Sequence, residues 1–165
     1  MKKEIKTIGN AYSEQAIDLI LNIQQKEFNI PITIKDQPDL KQIESFYTAN
    51  GGNFWGTFVD GELVGTIALV KFDDNAGAVR KMFVKKEFRG KELNIAQNLL
   101  EELITYCCAN GIKEIFLGTV SVLMAARRFY ERNGFKLVEK EDLPAKFPLM
   151  SADNIFYSLE LNCTK

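Results

Sequence analysis

Histidine is absent from the 165 residues, and that one absence removes a block of chemistry. Ser-His-Asp and Cys-His nucleophilic catalysis, histidine general bases and His-ligated metals all go with it, and no metal is expected. Cysteine is scarce: Cys107, Cys108 and Cys163, with no C-x-x-C spacing. An odd count without a framework leads to the expectation of reduced thiols in a cytoplasmic protein, with Cys107 serving core packing. The opening MKKEIKTIGNAYSEQ lacks the apolar centre of a signal peptide, and no apolar run is long enough to cross a bilayer. No membrane association is expected. Strong net charge is also lacking: the value of −1 gives no global attraction to nucleic acid or anionic lipid. Basic residues cluster only locally, at Arg80-Lys81, Lys85-Lys86, Arg89 and Lys91, and such clusters are usually solvated faces. Without interleaved exposed aromatics beyond Phe88, no nucleic-acid partner is expected.

What is present is an ordinary globular composition, 46% hydrophobic and 26% charged, and a length that fits one domain over residues 1–165. Glu4–Ile8 alternates weakly as a first strand. Ser13 reads as the N-cap of a helix reaching about Phe28, ended by Pro31. PDLKQIESFYTAN reads as a second short helix, ended at Gly51-Gly52. Phe54–Val59 and Leu63–Phe72, joined at Asp60-Gly61, carry a strong hairpin signal, and Ala78–Val84 completes a meander. From Leu93 to about Ala109 the apolar positions Ala96, Leu99, Leu100, Leu103, Ile104 and Cys107 form one helical stripe. A strand at Ile112–Thr119, a helix at Val122–Arg132 and strands at Phe135–Glu139 and Ile155–Leu161 follow. EDLPAKFPLMSAD, between the last two, is too apolar for a plain linker. The order implies a mixed sheet of about six to seven strands, an α+β (α/β) fold with helices on both faces, whose direction changes near the fourth strand.

The stretch VKKEFRGKELNIA (Val84–Ala96) lies at the carboxyl end of that fourth strand, where ligands of open α/β sheets bind. Strand, basic glycine-containing turn and helix N-terminus together make an anion pocket, because first-turn amides have no intrahelical partner. Arg89 and Lys91 add fixed cations. Neither the P-loop pattern nor the Rossmann glycine fingerprint is present.

MFVKKEFRGKELNIAQNLLEEL, then EIFLGT, then AARRFYERNGF, resembles the GNAT superfamily of acyl-CoA-dependent N-acetyltransferases over roughly Trp55 to Phe135. The Phe-Tyr-Glu-Arg-Asn-Gly-Phe segment is its most specific part. The turn departs from the family pattern, which has two small residues after an Arg or Gln. Keeping Arg89-Gly90 in place puts Glu92 and Asn94 on the glycine positions. Keeping the spacing to Leu99-Leu100 puts Lys91, Asn94 and Ala96 on the family positions. The second register is preferred, because Asn tolerates left-handed backbone; Glu92 should then point outward.

The resemblance implies a GNAT-like single-domain fold and transfer of an acetyl group from acetyl-CoA to a primary amine of a small molecule or peptide. Arg89, Gly90, Lys91, Asn94, Ile95, Ala96 and Gln97 would hold the pyrophosphate. The main chain of Met82, Phe83 and Val84 would meet the pantetheine and the acyl oxygen. Thr119, Ala126 and Phe129 are further expected cofactor contacts, with strand capping as the other reading of Thr119. Tyr130 matches the family tyrosine that protonates the departing thiolate. No base stands out; Glu27, Glu114 and Asp153 are candidates by element position. Phe28–Asp39, GGNFW and DLPAKFPLM are expected to wall the acceptor, with Trp55, Phe147, Leu149 and Met150 making it partly apolar. Phe147-Pro148 would serve as a lid or pack on a second subunit, since family members often dimerise. A non-catalytic acyl-CoA-binding or regulatory module of the same fold is the alternative.

Overall fold

Strands with apolar residues on both faces need cover above and below, and the computed structural model, which describes residues 1–163, provides it. Strands β1 (Lys3–Thr7), β2 (Asn53–Val59), β3 (Glu62–Asp73), β4 (Ala76–Val84), β5 (Glu114–Thr119), β6 (Lys136–Leu137) and β7 (Ile155–Glu160) form one seven-stranded sheet. Their order is β1-β2-β3-β4-β5-β7-β6, and only β4 and β5 run parallel. The mixed sheet and its change of direction at the fourth strand are as expected.

Period-two alternation sorts the strand residues between two cores. Trp55, Val59, Val64, Ile67 and Leu69 face helix α3 (Ile95–Ala109), whose Leu99, Leu100, Leu103 and Cys107 are buried against them. Phe54, Phe58, Leu63 and Ala68 face the other way, onto Ala16, Leu19 and Ile20 of α1 (Ser13–Leu21) and Ile43 of α2 (Ile43–Phe46). Each fully buried Leu contributes about 1.5–3 kcal/mol relative to exposure, so α3 is anchored chiefly by its apolar stripe. A third cluster joins Ala76, Ala78, Phe116 and Phe156 to Phe147 of the long loop.

Several boundaries differ from expectation. Ser13 is the first residue of α1, not its cap; its hydroxyl is buried without a partner. Beyond Leu21 the helix widens into a π-turn, Asn22–Glu27. PDLKQIESFYTAN is three short turns rather than one helix. Helix α4 (Met124–Arg132) starts two residues late, and β6 is only two residues long. The cysteine reading also changes: Cys108 at the end of α3 and Cys163 beyond β7 form a disulfide, leaving Cys107 free and buried. No local motif announces that pair, because 55 residues separate its members. Burial pushes the Cys107 thiol up to about 12, as a packing role requires. Among the described residues no helix is long and apolar enough to cross a membrane.

Candidate active site

β4 and β5 pair only from Ala76–Ala78 to Glu114–Phe116. Beyond that point the strands part, and Val79–Val84 have no sheet partner on the β5 side. The β3–β4 register shifts between Thr66 and Ala68, opposite Lys81, whose φ is +56°. Thr66 Oγ1 donates to the Lys81 carbonyl at 2.7 Å and fixes this bulge. Consecutive strand residues normally face opposite sides. Here Arg80 and Lys81 line the same small cavity of about 110 Å³.

A larger cavity of about 330 Å³ lies on the α3 side of the opening, walled by Met82, Phe83, Val84, the 88–97 turn, Ala126, Phe129, Tyr130 and Arg132. Gly90 turns at φ +122° and Asn94 at φ +54°, and α3 begins at Ile95 with no side-chain cap. The amide of Asn98 is the first to bond back, to Asn94 O at 3.0 Å. The amides of Ile95, Ala96 and Gln97 therefore stand at the positive end of a 15-residue helix. Lys91 lines this cavity and is exposed. Glu92 is exposed and off its wall. Arg89, expected as the second counter-charge, is engaged elsewhere: its guanidinium grips Glu27 at 2.5 and 2.8 Å, and its Nε donates to Val84 O. That grip holds the Glu27 carboxyl below its usual value.

The smaller cavity holds the buried charge. Lys81 Nζ lies 2.5 Å from Gln37 Oε1 and 3.6 Å from Asp39, which accepts a hydrogen bond from Tyr47. Burial pushes the Lys81 ammonium down to about 8 against the pull of Asp39. Across the cavity Asp153 packs so closely on Gly118 that a Cβ there would lie 2.5 Å from its Oδ2. Neighbouring Asn154 donates to Thr119 O and accepts from the Ser121 amide, tying this loop to the end of β5. Burial pushes the Asp153 carboxyl up to about 6, although Arg80 and Lys81 pull it down.

Tyr130 belongs to both cavities. Its ring is held between Phe129, Phe135 and Tyr157, and its hydroxyl has no hydrogen-bond partner among the described residues. Burial raises the phenol above its usual range, so it carries its proton at neutral pH.

The sequence matches the model of the acetyltransferase (GNAT) family over residues 17–135. The chain belongs to the GNAT acetyltransferase family. A GNAT-family acetyltransferase from Staphylococcus aureus Mu50 superposes with a TM-score of 0.94 at 41% identity, over 98% of this chain and 100% of the other. An acetyltransferase from Streptococcus agalactiae does so at 0.92 and 30% identity, over 96% and 98%. Among curated proteins, an N-acetylaspartate synthetase from Danio rerio is 38% identical over 63% of this chain, which spans 37% of that relative's length.

Not every residue expected at the GNAT site lies there. Met82, Phe83, Val84, Arg89, Gly90, Lys91, Asn94, Ile95, Ala96, Gln97, Ala126 and Phe129 all line the larger cavity. Thr119 lines the smaller one instead. Of the three candidate bases, Glu27 is paired with Arg89 and Glu114 sits at the closed end of β5 opposite Ala76; Asp153 alone reaches the cleft. Trp55 is in the core against Tyr106, not on an acceptor wall, and Leu149 is exposed. Phe147, Pro148 and Met150 do line the small cavity. Ile30, Ile32 and Gln37, from the Phe28–Asp39 segment expected to wall the acceptor, line the small cavity as well. Arg80, Lys81 and Arg132 were not anticipated in the cleft; for the first two the signal was a pair of cations inside the otherwise apolar strand AGAVRKMFV.

Proposed function

We propose that the protein transfers an acetyl group from acetyl-CoA to the primary amine of a small acceptor, by direct attack within a ternary complex. The observation that carries this reading is Tyr130, a phenol without a hydrogen-bond partner among the described residues, at the junction of an anion cradle and a charged pocket. Acetyl-CoA supplies a thioester whose acyl carbon forms a bond to nitrogen as its bond to sulfur breaks. The amides of Ile95, Ala96 and Gln97, with Lys91, hold the pyrophosphate at the helix N-terminus. The main chain of Met82 to Val84, which has no sheet partner on the β5 side, orients the pantetheine and donates to the acyl oxygen as charge develops there. Asp153 takes the proton released by the attacking amine, and Tyr130 gives its proton to the departing sulfur. The name of the Danio rerio relative supports an amine acceptor. We place the protein in the cytoplasm, where acetyl-CoA is available.

One observation favours the second reading, a non-catalytic acyl-CoA-binding module: Arg89 is engaged by Glu27 rather than free in the cradle. Thiol release from acetyl-CoA across a panel of amines separates the two. Amine-stimulated release is expected. Acetyl-CoA binding with no stimulation by any amine selects the module, and absence of acetyl-CoA binding removes both.

A further inference from the structure

We infer that the acceptor carries a carboxylate as well as its amine, an amino-acid-like zwitterion, and that Arg80 is the group that binds the carboxylate. The inference rests on the transferase reading above and names the substrate class of the same site.

Arg80 is unusual in what it does not touch. Its side chain is 10% exposed, yet the nearest carboxylate oxygen, Asp39 Oδ1, is 3.8 Å away, beyond hydrogen-bond length. Its one hydrogen-bond contact among the described residues is the Met150 thioether at 3.1 Å, a weak acceptor, and it lies over the Phe46 ring at 5.5 Å. A guanidinium has five N–H donors in a planar fork. Burying it without oxygen acceptors is unfavourable, and a planar two-oxygen anion satisfies that fork best.

The charge around it agrees. Arg80 and Lys81 line the cavity, while Asp39 lies behind them, outside the lining, held by Tyr47. Lys81 is already bonded to Gln37, which in turn bonds Gln24. Arg80 is thus the cation with donors to spare. On the other wall Asp153 offers the one negative group of the lining, suited to the amine end. A cation on one side and a carboxylate on the other match a zwitterion and oppose a simple alkylamine. At about 110 Å³, the cavity falls below the ~300–1,000 Å³ of drug-sized ligand sites, so its occupant is small.

The test compares free amino acids with their carboxamides as acceptors, in thiol-release assays on the wild-type protein and on Arg80→Gln and Arg80→Lys. The acids are expected to exceed the amides by at least about tenfold in kcat/KM. Arg80→Gln should collapse that ratio to near one with the acetyl-CoA Kd unchanged, and Arg80→Lys should restore part of it. Equal use of amides by the wild type, or an intact preference in Arg80→Gln, overturns the inference. Calorimetric titration of N-acetyl amino acids and their amides supplies a readout that does not need turnover. Arg80-dependent binding of the acids without any turnover sinks the transferase reading and leaves only the carboxylate site at Arg80 standing. Failure of the acids to bind better than the amides sinks this one, whatever the turnover.

Discussion

The two halves of the cleft solve different problems with different materials. The larger cavity is built from main chain: a turn, a left-handed Asn94 and the free amides that open α3. The smaller is built from buried side-chain charge, with Arg80, Lys81 and Asp153 on its walls and Asp39 behind them. A backbone cradle tolerates sequence drift, since any residue but proline supplies an amide. A charged pocket does not, because a buried cation or carboxylate is supplied by one side chain and no neighbour's main chain can replace it.

The largest expected effect falls where the halves meet. Tyr130→Phe should lower kcat by ~10²–10⁴-fold with both Michaelis constants nearly unchanged; a small effect would detach the two cavities from one reaction. Next, Asp153→Asn breaks the charged half alone. kcat/KM in the wild type should rise with pH through about 6, as the Asp153 carboxyl ionises, and this limb should vanish in the variant along with about 10²-fold in turnover. Stability should move the other way. Asp153 holds its proton more tightly when folded, so its contribution is fully present below the ordinary 3.8 and is lost as pH rises through about 6. Above that pH, Asp153→Asn should therefore melt higher than wild type, which thermal denaturation at pH 5 and pH 8 would check.

Changes in the backbone half should be milder. Asn94→Ala places a Cβ-bearing residue without a polar side chain in left-handed backbone, at about 1 kcal/mol, which reads as acetyl-CoA binding weakened about fivefold; Asn94→Gly should keep full affinity. The smallest effect is expected for Glu27→Gln, which frees Arg89 toward the cradle. Acetyl-CoA should bind about two- to threefold more tightly at low salt, with the gain lost at high ionic strength. Acceptor KM should be unmoved in both, by steady-state kinetics.

The same contrast explains what could be read beforehand. The strand–turn–helix around Arg89-Gly90 and the segment around Tyr130 are local, each contained in about a dozen residues, so patterning and helix-end chemistry suffice. The charged pocket is not local. Lys81 meets Gln37 across 44 positions, and Arg80 meets Met150 across 70. Arg80-Lys81 was therefore taken for a solvated face, when a left-handed bulge turns both inward. Glu114 looked eligible as a base only because strand membership does not say which end of β5 opens. Trp55 failed for a related reason: alternation places it on the α3 side of the sheet, in the core.

The narrow β4–β5 pairing has one more consequence, a mechanical one. Strands β1 to β4 and strands β5 to β7 are two plates joined along three residue pairs, like tongs with a short rivet. Cys108 lies in the last turn of the helix on the first plate, and Cys163 follows the last strand of the second, beside the joint where Leu161 bonds Lys113. The disulfide clasps the pivot from the closed side, far from any group assigned a chemical task. With the clasp shut, the closed end of the cleft is tied covalently as well as by strand pairing. With it reduced, that end of the cleft keeps the three strand pairs, the bonds from the Lys113 and Glu114 amides to Asn75 O and the apolar cluster shared by Ala76, Ala78, Phe116 and Phe156.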